Sequence, residues 1–133
     1  MIRLRMSLHV PPFTFLHDCI DLTHPDWRDV KKGLRVRTLQ RDADGGRLVL
    51  FHVTQEADAD VFSEHVHPGG EAFMVLKGIL READGSATYP AVEELVLMAA
   101  GSRHAPEPVI DEHGAQPTIV LIWWGSRVEV IEH

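Results

Sequence analysis

The sequence predicts an all-β domain of antiparallel strands, arranged as a sandwich or barrel. Apolar residues recur with a period of two rather than 3.6 along most of the chain. These short runs are separated by Gly- and Pro-containing turns at near-regular spacing. A length of 133 residues fits one domain. We therefore expect a single domain over 1–133, with a weakly patterned N-terminal arm over 1–20 and the barrel over 21–133.

The individual strands follow from the apolar pattern in chain order. Leu34–Leu39 alternates in polarity, whereas Arg47–Val53 is apolar on both faces, which is typical of a central strand. One helical turn is predicted at Pro25–Val30, ahead of Gly33. The remaining predicted strands are Val61–His67, Glu71–Leu76, Ala87–Tyr89, Leu95–Met98, Thr118–Trp124 and Arg127–Ile131.

Charge and composition exclude several classes of protein. The net charge of −7 argues against a nucleic-acid partner, which requires clustered Lys and Arg. The single cysteine, Cys19, excludes an intramolecular disulfide and a Cys-only metal cage, and it fits a reducing compartment. No apolar run is long enough to cross a bilayer, and the N-terminus lacks the apolar core of a secretory signal. We expect a soluble, cytoplasmic protein with no membrane partner.

The nine histidines include a cluster with the spacing of metal ligands. In His65-Val-His67-Pro-Gly-Gly-Glu71, residues two apart on a strand project from the same face, so His65 and His67 lie side by side. The Pro-Gly-Gly turn then brings Glu71 next to them, while Glu64 points to the other face. His104, which follows the tight turn at Gly101, is the candidate fourth ligand. A His-x-His pair alone also occurs by chance, but this combination predicts a metal site.

These residues resemble the cupin superfamily. His65, His67, Glu71 and Gly78 match its first motif, and Gly101 and His104 match its second. The sequence departs from the motifs at three positions that are not metal ligands: Ala59, Ala99 and Pro108. The wording from His67 to Gly78 and around Asp84–Pro90 is most similar to the branch that holds the cupin-like domain of the anti-sigma factor ChrR and acetylacetone-cleaving dioxygenases. The resemblance implies a double-stranded β-helix, the jelly-roll barrel of the cupins.

Three imidazoles and one carboxylate suit one divalent transition metal per chain. Iron or zinc is favoured, and manganese or nickel is allowed. A six-coordinate ion with four protein ligands has room for a small-molecule substrate, which favours a dioxygenase acting on a diketone-like or phenolic compound. A tetrahedral zinc ion would be closed by the same four ligands, which favours a sensor that binds without turnover. The residues leave both functions open.

Four further residues are candidates for the pocket. Phe73 and Val75 share the strand parity of Glu71 and are expected to form an apolar wall. His52 is a candidate acid–base or outer-sphere group of the pocket, but a packed core histidine is the favoured interpretation. Arg103 is a candidate for holding an anionic substrate, but a solvated arginine is the favoured interpretation. His113, in a polar turn, is expected to be exposed and to have no role.

Two expectations concern regulation and assembly. ChrR-like proteins carry an N-terminal zinc-binding helical module, and the roughly 30 residues before the first predicted strand are too few and too unpatterned for it, so direct inhibition of a sigma factor is not expected. Thr118–Trp124 is apolar on both faces, so its outer face needs a cover, either the N-terminal arm or a second subunit. We expect a homodimer.

Overall fold

The computed structural model of the protein describes residues 1–7, 20–58, 61–62, 65–91, 93–109, 117–125 and 129–130. Across these ranges the regular structure consists of β-strands alone, and every strand pair is antiparallel. The strands are β1 (Ile2–Arg5), β2 (Arg28–Lys31), β3 (Leu34–Arg41), β4 (Arg47–Val53), β5 (His65–His67), β6 (Glu71–Lys77), β7 (Ile79–Glu82), β8 (Thr88–Pro90), β9 (Glu94–Met98), β10 (Ser102–His104), β11 (Pro106–Pro108), β12 (Thr118–Trp124) and β13 (Glu129–Val130).

The strands form one large sheet and two small ones. The large sheet has the order β1-β9-β6-β12-β4-β3-β2, and the small sheets have the orders β10-β5-β13 and β11-β7-β8. Long crossovers connect strands that are distant in sequence, as when β12 inserts between β6 and β4. This architecture is the double-stranded β-helix that the sequence predicts.

The main core lies between the large sheet and the β11-β7-β8 sheet. Val49, Phe73 and Val120 from the large sheet are at most 1% exposed and pack in one cluster with Leu80 of β7 and Tyr89 of β8. Their burial follows from strand parity, because β4, β6 and β12 each direct every second side chain to the same inner face. Every second side chain of these strands therefore lies in the interior of the barrel.

The helical turn expected at Pro25–Val30 is wrong. The backbone N–H of Trp27 donates to the carbonyl of His24 at 3.3 Å, which closes a turn, and the chain then enters strand β2. Arg28 and Asp29 pair with Val36 and Arg35 of β3, so hairpin pairing around Gly33 prevails over the local helical signal. Strands β1, β7, β10 and β11, which have three or four residues each, were not predicted.

Other predicted strands differ mainly in their limits. Of the predicted strand Val61–His67, the described residues His65–His67 form a strand and Val61 and Phe62 do not. Of the predicted strand Arg127–Ile131, the described residues Glu129–Val130 form a strand. The expected arm over 1–20 begins with β1, which pairs with β9, while residues 8–19, including Cys19, lie outside the described residues. No helix in the described part of the chain is long and apolar enough to cross a membrane.

The outer face of the large sheet carries an exposed apolar row. The register aligns Ile2, Leu97, Ala72 and Trp123 across four neighbouring strands. Ile2 is 57% exposed and Trp123 is 41% exposed. Beside this row, Met74 is buried among Met6, Leu76, Leu95 and Leu121. An exposed apolar band of this kind is typical of a protein–protein interface.

We predict that wild-type protein is a homodimer joined through this row. Light scattering at micromolar concentration should give twice the chain mass of 14.9 kDa. Trp123→Glu should give the monomer mass, because an unpaired charge buried in an apolar interface is strongly unfavourable. Ile79→Glu is the matched control, since Ile79 is 39% exposed but lies on β7, away from the row, and should leave the dimer intact. A monomeric wild type would contradict the prediction.

Candidate metal centre

Two short strands place the three predicted histidines on one face. β5 and β10 are antiparallel neighbours, and their register sets His104 opposite His65. His67 is two residues from His65 on the same strand and so shares that face. The imidazole rings meet edge to face, with 4.6 Å between the ring centroids of His65 and His67 and 4.4 Å between those of His65 and His104.

Two glycine turns bring the fourth residue to the histidines. Gly70 has a φ of +82° between β5 and β6, and a Cβ there would lie 3.2 Å from the carbonyl oxygen of Met98. Gly101 has the same φ before β10. The N–H groups of both glycines donate to the carbonyl of His67, at 3.0 and 2.9 Å. The turn at Gly70 therefore sets Glu71, the first residue of β6, against His67.

The donor atoms of the four residues converge as they would around one ion. His65, His67, Glu71 and His104 each offer one ligand atom, and these atoms all lie within 4.8 Å of one another. Nε2 of His104 is 3.3 Å from Oε2 of Glu71 and 3.3 Å from Nε2 of His67, and Nε2 of His65 is 4.0 Å from Oε2 of Glu71. Ligand atoms bound to one ion at about 2.0–2.2 Å are about 3–4.4 Å apart. The cluster fits a divalent metal site.

Burial and charge explain why the cluster favours a cation. Glu71 is 5% exposed. Burial disfavours its charge, but the hydrogen bonds and charges of His104 and His67 outweigh that effect and lower the Glu71 pKa to about 2. Burial also disfavours a charge on His104, yet Glu71 and Glu82 outweigh it and raise the His104 pKa to about 9. The carboxylates thus stabilise positive charge at this point, and a divalent metal supplies it when the imidazoles are neutral.

A cavity of about 310 Å³ opens onto the four residues. All four of them line it. Most of the remaining lining is apolar and includes Phe51, Phe62, Phe73, Leu80, Ile122 and Trp124. The rings of Phe51 and Phe62 are stacked with 5.3 Å between their centroids. This volume is at the lower end of the range for small-molecule sites, about 300–1,000 Å³.

The structure separates the predicted pocket residues into different environments. Phe73 lines the cavity, whereas Val75, on the same face of β6, is packed in the main core. His52 does not line this cavity, because the register pairs it with Ile119 on the outer face. His52 is buried there with its ring 6.1 Å from that of Trp27.

Arg103 and His113 complete the comparison with the sequence. Arg103 does not line the cavity of the four candidate ligands, because it pairs with Val66 on the face of β10 opposite the histidines. It lines a second cavity, of about 470 Å³, together with Glu82 and Tyr89. His113 lies outside the described residues.

Sequence reasoning missed Glu82. This carboxylate is 6% exposed, and its Oε1 lies 3.1 Å from Nδ1 of His104. The signal was present in the parity of β7, where Leu80 and Glu82 share the buried face and Ile79 and Arg81 share the exposed one. A charged residue that falls on the buried face of a strand indicates that a polar partner lies in the interior of the protein.

Comparison with models of known protein families gives a match that covers most of the chain. The model of the ChrR cupin-like domain matches residues 17–115, which include all four residues of the cluster. The protein belongs to the ChrR cupin-like family. A search of curated proteins found no match.

Solved structures similar to this ChrR cupin-like domain share its fold at low sequence identity. An RmlC-like cupin from Ralstonia eutropha JMP134 has a TM-score of 0.65 and 14% identity, covering 80% of this chain and 66% of that one, so this chain spans just under two thirds of its length. An acetylacetone dioxygenase from Acinetobacter johnsonii has a TM-score of 0.64 and 13% identity, covering 85% and 76%. A putative acetylacetone dioxygenase from Methylibium petroleiphilum PM1 has a TM-score of 0.64 and 17% identity, covering 99% of this chain and 86% of that one.

We predict that His65→Ala, His67→Ala, Glu71→Ala and His104→Ala each remove or greatly weaken bound metal. The loss should exceed the about 10–100-fold that follows removal of an outer hydrogen-bond partner, because each change deletes a donor atom. Metal content after dialysis, measured by mass spectrometry, is the test.

Two histidine variants are the controls for this prediction. His52→Ala removes an equally buried imidazole from the other face of the large sheet, so it should lower stability and leave metal content unchanged. His113→Ala should also leave it unchanged. Stoichiometric metal in the four cluster variants would contradict the assignment of the site.

We also predict that a chelator lowers the melting temperature of metal-loaded protein. The ligands converge only in the folded barrel, so the metal binds the native state alone and stabilises it by about 4 kcal/mol when free metal is roughly a thousandfold above its Kd. At about 2–5 °C per kcal/mol, calorimetry should show a decrease of roughly 8–20 °C. Acid should have the same effect, because a metal-bound imidazole must be neutral. An unchanged melting temperature with chelator would rule out a stabilising ion.

Proposed function

We propose that this ChrR cupin-like domain is a metal-dependent enzyme of dioxygenase type that acts on a small diketone-like or phenolic molecule. The observation that carries the proposal is the position of the cluster: all four candidate ligands line one apolar cavity. A bound redox-active ion such as iron supplies substrate chelation and the reaction with dioxygen. The chain's own residues supply the rest of the site.

The cavity walls favour a flat, mostly apolar substrate with a polar end. The aromatic pair Phe51 and Phe62 and the ring of Trp124 line the cavity, so a ring or a short carbon skeleton is held by burial of apolar surface. The exposed residues Val30 and Lys31 line its outer part. The lysine charge there favours an anionic or enolised molecule over a neutral one.

The competing function is that of a domain that binds metal and ligand without turnover. The family to which the chain belongs favours it, because that family is described by the cupin-like domain of ChrR. The same four ligands around tetrahedral zinc have no open position. The identity of the native metal and the presence of turnover therefore distinguish the two functions.

The experiment begins with metal analysis of protein purified without added metal. Protein loaded with iron or with zinc is then assayed in an oxygen electrode with 2,4-pentanedione and with catechol. We expect the iron form to consume oxygen with at least one of them and the zinc form to consume none. Tightly bound zinc, together with saturable ligand binding and no oxygen uptake in either form, would favour the binding domain.

A cavity variant checks that turnover occurs at this site. Phe62→Ala removes one ring of the stacked pair without altering a candidate ligand, so we expect kcat/KM to fall at least about tenfold with metal content unchanged. Ile79→Ala, which shortens an exposed apolar side chain outside the cavity, is the matched control and should keep wild-type activity. Equal activity of both variants would place the reaction elsewhere.

A further inference from the structure

Glu82 contacts His104, one of the four candidate metal ligands, on the side of its ring that faces away from the cluster. Its Oε1 lies 3.1 Å from Nδ1 of His104, while Nε2 of the same ring faces Glu71 and His67. A carboxylate accepts hydrogen bonds but does not donate them. Nδ1 of His104 therefore carries the hydrogen and its N–H donates a hydrogen bond to Glu82, so a neutral His104 presents the lone pair of Nε2 to the centre of the cluster.

Glu82 is itself fixed by two further hydrogen bonds. The hydroxyl of Tyr89 donates to Oε1 at 3.0 Å, and the backbone N–H of Ala105 donates to Oε2 at 3.2 Å. Tyr89 is 2% exposed, and its ring packs edge to face on Phe73 with 4.9 Å between the centroids. Burial and the charge of Glu82 raise the Tyr89 pKa well above its ordinary range, so this phenol remains a donor. The carboxylate has little freedom to turn away from His104.

His104 differs in this respect from His67. Nδ1 of His67 is buried and has no hydrogen-bond partner among the described residues. Glu82 contacts neither His65 nor His67 in the described hydrogen bonds, so its effect is confined to the ring that comes from β10. With a divalent ion bound at the cluster, Glu82, His104 and the ion would form a series in which the carboxylate sets the orientation of the ring and the basicity of its ligand nitrogen.

We propose that Glu82 is a positioning residue of the metal centre, which fixes the tautomer and orientation of His104 so that Nε2 binds the divalent ion. The proposal rests on the metal function proposed above. It goes beyond that function, because it assigns a role to a carboxylate that is not one of the four candidate ligands and does not line the cavity onto which they open. Tyr89 and Ala105 are the groups that hold this carboxylate in place.

The test compares the metal affinity of Glu82→Gln with that of wild type. Zinc is titrated into chelator-treated protein in competition with a chromophoric chelator, and cobalt is bound to record its absorption bands. Gln keeps the size of the side chain but lacks the charge, and it cannot accept from His104, Tyr89 and Ala105 together. We expect zinc affinity to fall by about 10–100-fold and the cobalt bands to shift.

Glu107→Gln is the matched control. Glu107 lies on β11, pairs with Arg81 at 2.6 Å and makes no contact with the cluster in the described hydrogen bonds and ion pairs, so its zinc affinity and cobalt spectrum should equal those of wild type. Unfolding of the metal-free proteins by denaturant separates a purely structural role. If Glu82→Gln lowers that stability but leaves zinc affinity and the cobalt spectrum unchanged, the proposal is wrong.

The design also distinguishes this proposal from the one it rests on. Failure of wild-type protein to bind zinc or cobalt would overturn the metal function itself, and with it the role of Glu82. Tight binding by wild type and equal binding by Glu82→Gln would overturn the role of Glu82 alone. If Glu82→Gln does not fold, Glu82→Asp carries the test, because the charge is kept and the carboxylate is withdrawn by one methylene. We then expect a loss of about tenfold or more, and wild-type affinity would overturn the proposal.

Discussion

Three imidazole nitrogens and one carboxylate oxygen, all within 4.8 Å of one another inside the barrel, impose the strongest constraint on this molecule. Neutral imidazoles and a carboxylate direct lone pairs at a common point, where they repel one another unless a positive charge lies between them. The residues that create this concentration of acceptors come from β5, β6 and β10, strands of two different sheets. The site therefore forms only if the fold holds the two sheets in a fixed position relative to each other.

Two glycine turns and the alternation of side chains along β6 fix this relative position of the two sheets. The turn at Gly70 connects the two sheets, and the N–H groups of Gly70 and Gly101 both donate to the carbonyl of His67. The carbonyl of His67 thus stabilises both turns, after which β6 places Glu71 and β10 places His104 at the cluster. Behind them, the inner face of β6 continues from Glu71 to Phe73 and Val75 into the main core, so packing of the core and placement of the carboxylate depend on the same strand.

The sequence was sufficient for the parts of the site that depend on local spacing. His65, His67 and Glu71 lie within seven residues, and strand parity together with the Pro-Gly-Gly turn predicts that they meet. Parity could not assign His52 and Arg103 to one environment, because alternation predicts that a strand has two faces but not which of them encloses the cavity. It missed Glu82 because the hydrogen bond to His104 spans 22 residues, and only the packing of β11 on β7 brings the two together. Local turn propensity failed at Pro25–Val30, where hairpin pairing decides the conformation.

The two faces of the large sheet differ in chemistry: the outer face carries the exposed apolar row, and the inner face encloses a few buried polar groups that contact one another. Glu71 contacts His67 and His104, and Glu82 of β7 accepts hydrogen bonds from His104, Tyr89 and Ala105. Metal sites that serve folding alone are closed by their protein ligands, whereas here all four candidate ligands line a cavity. Burying a carboxylate in an apolar cavity disfavours its charge, and for folding alone an apolar residue at Glu71 would pack without that cost. The retention of a charged cluster beside an apolar cavity is consistent with binding a small molecule at the metal, which is the physical basis of the proposed function.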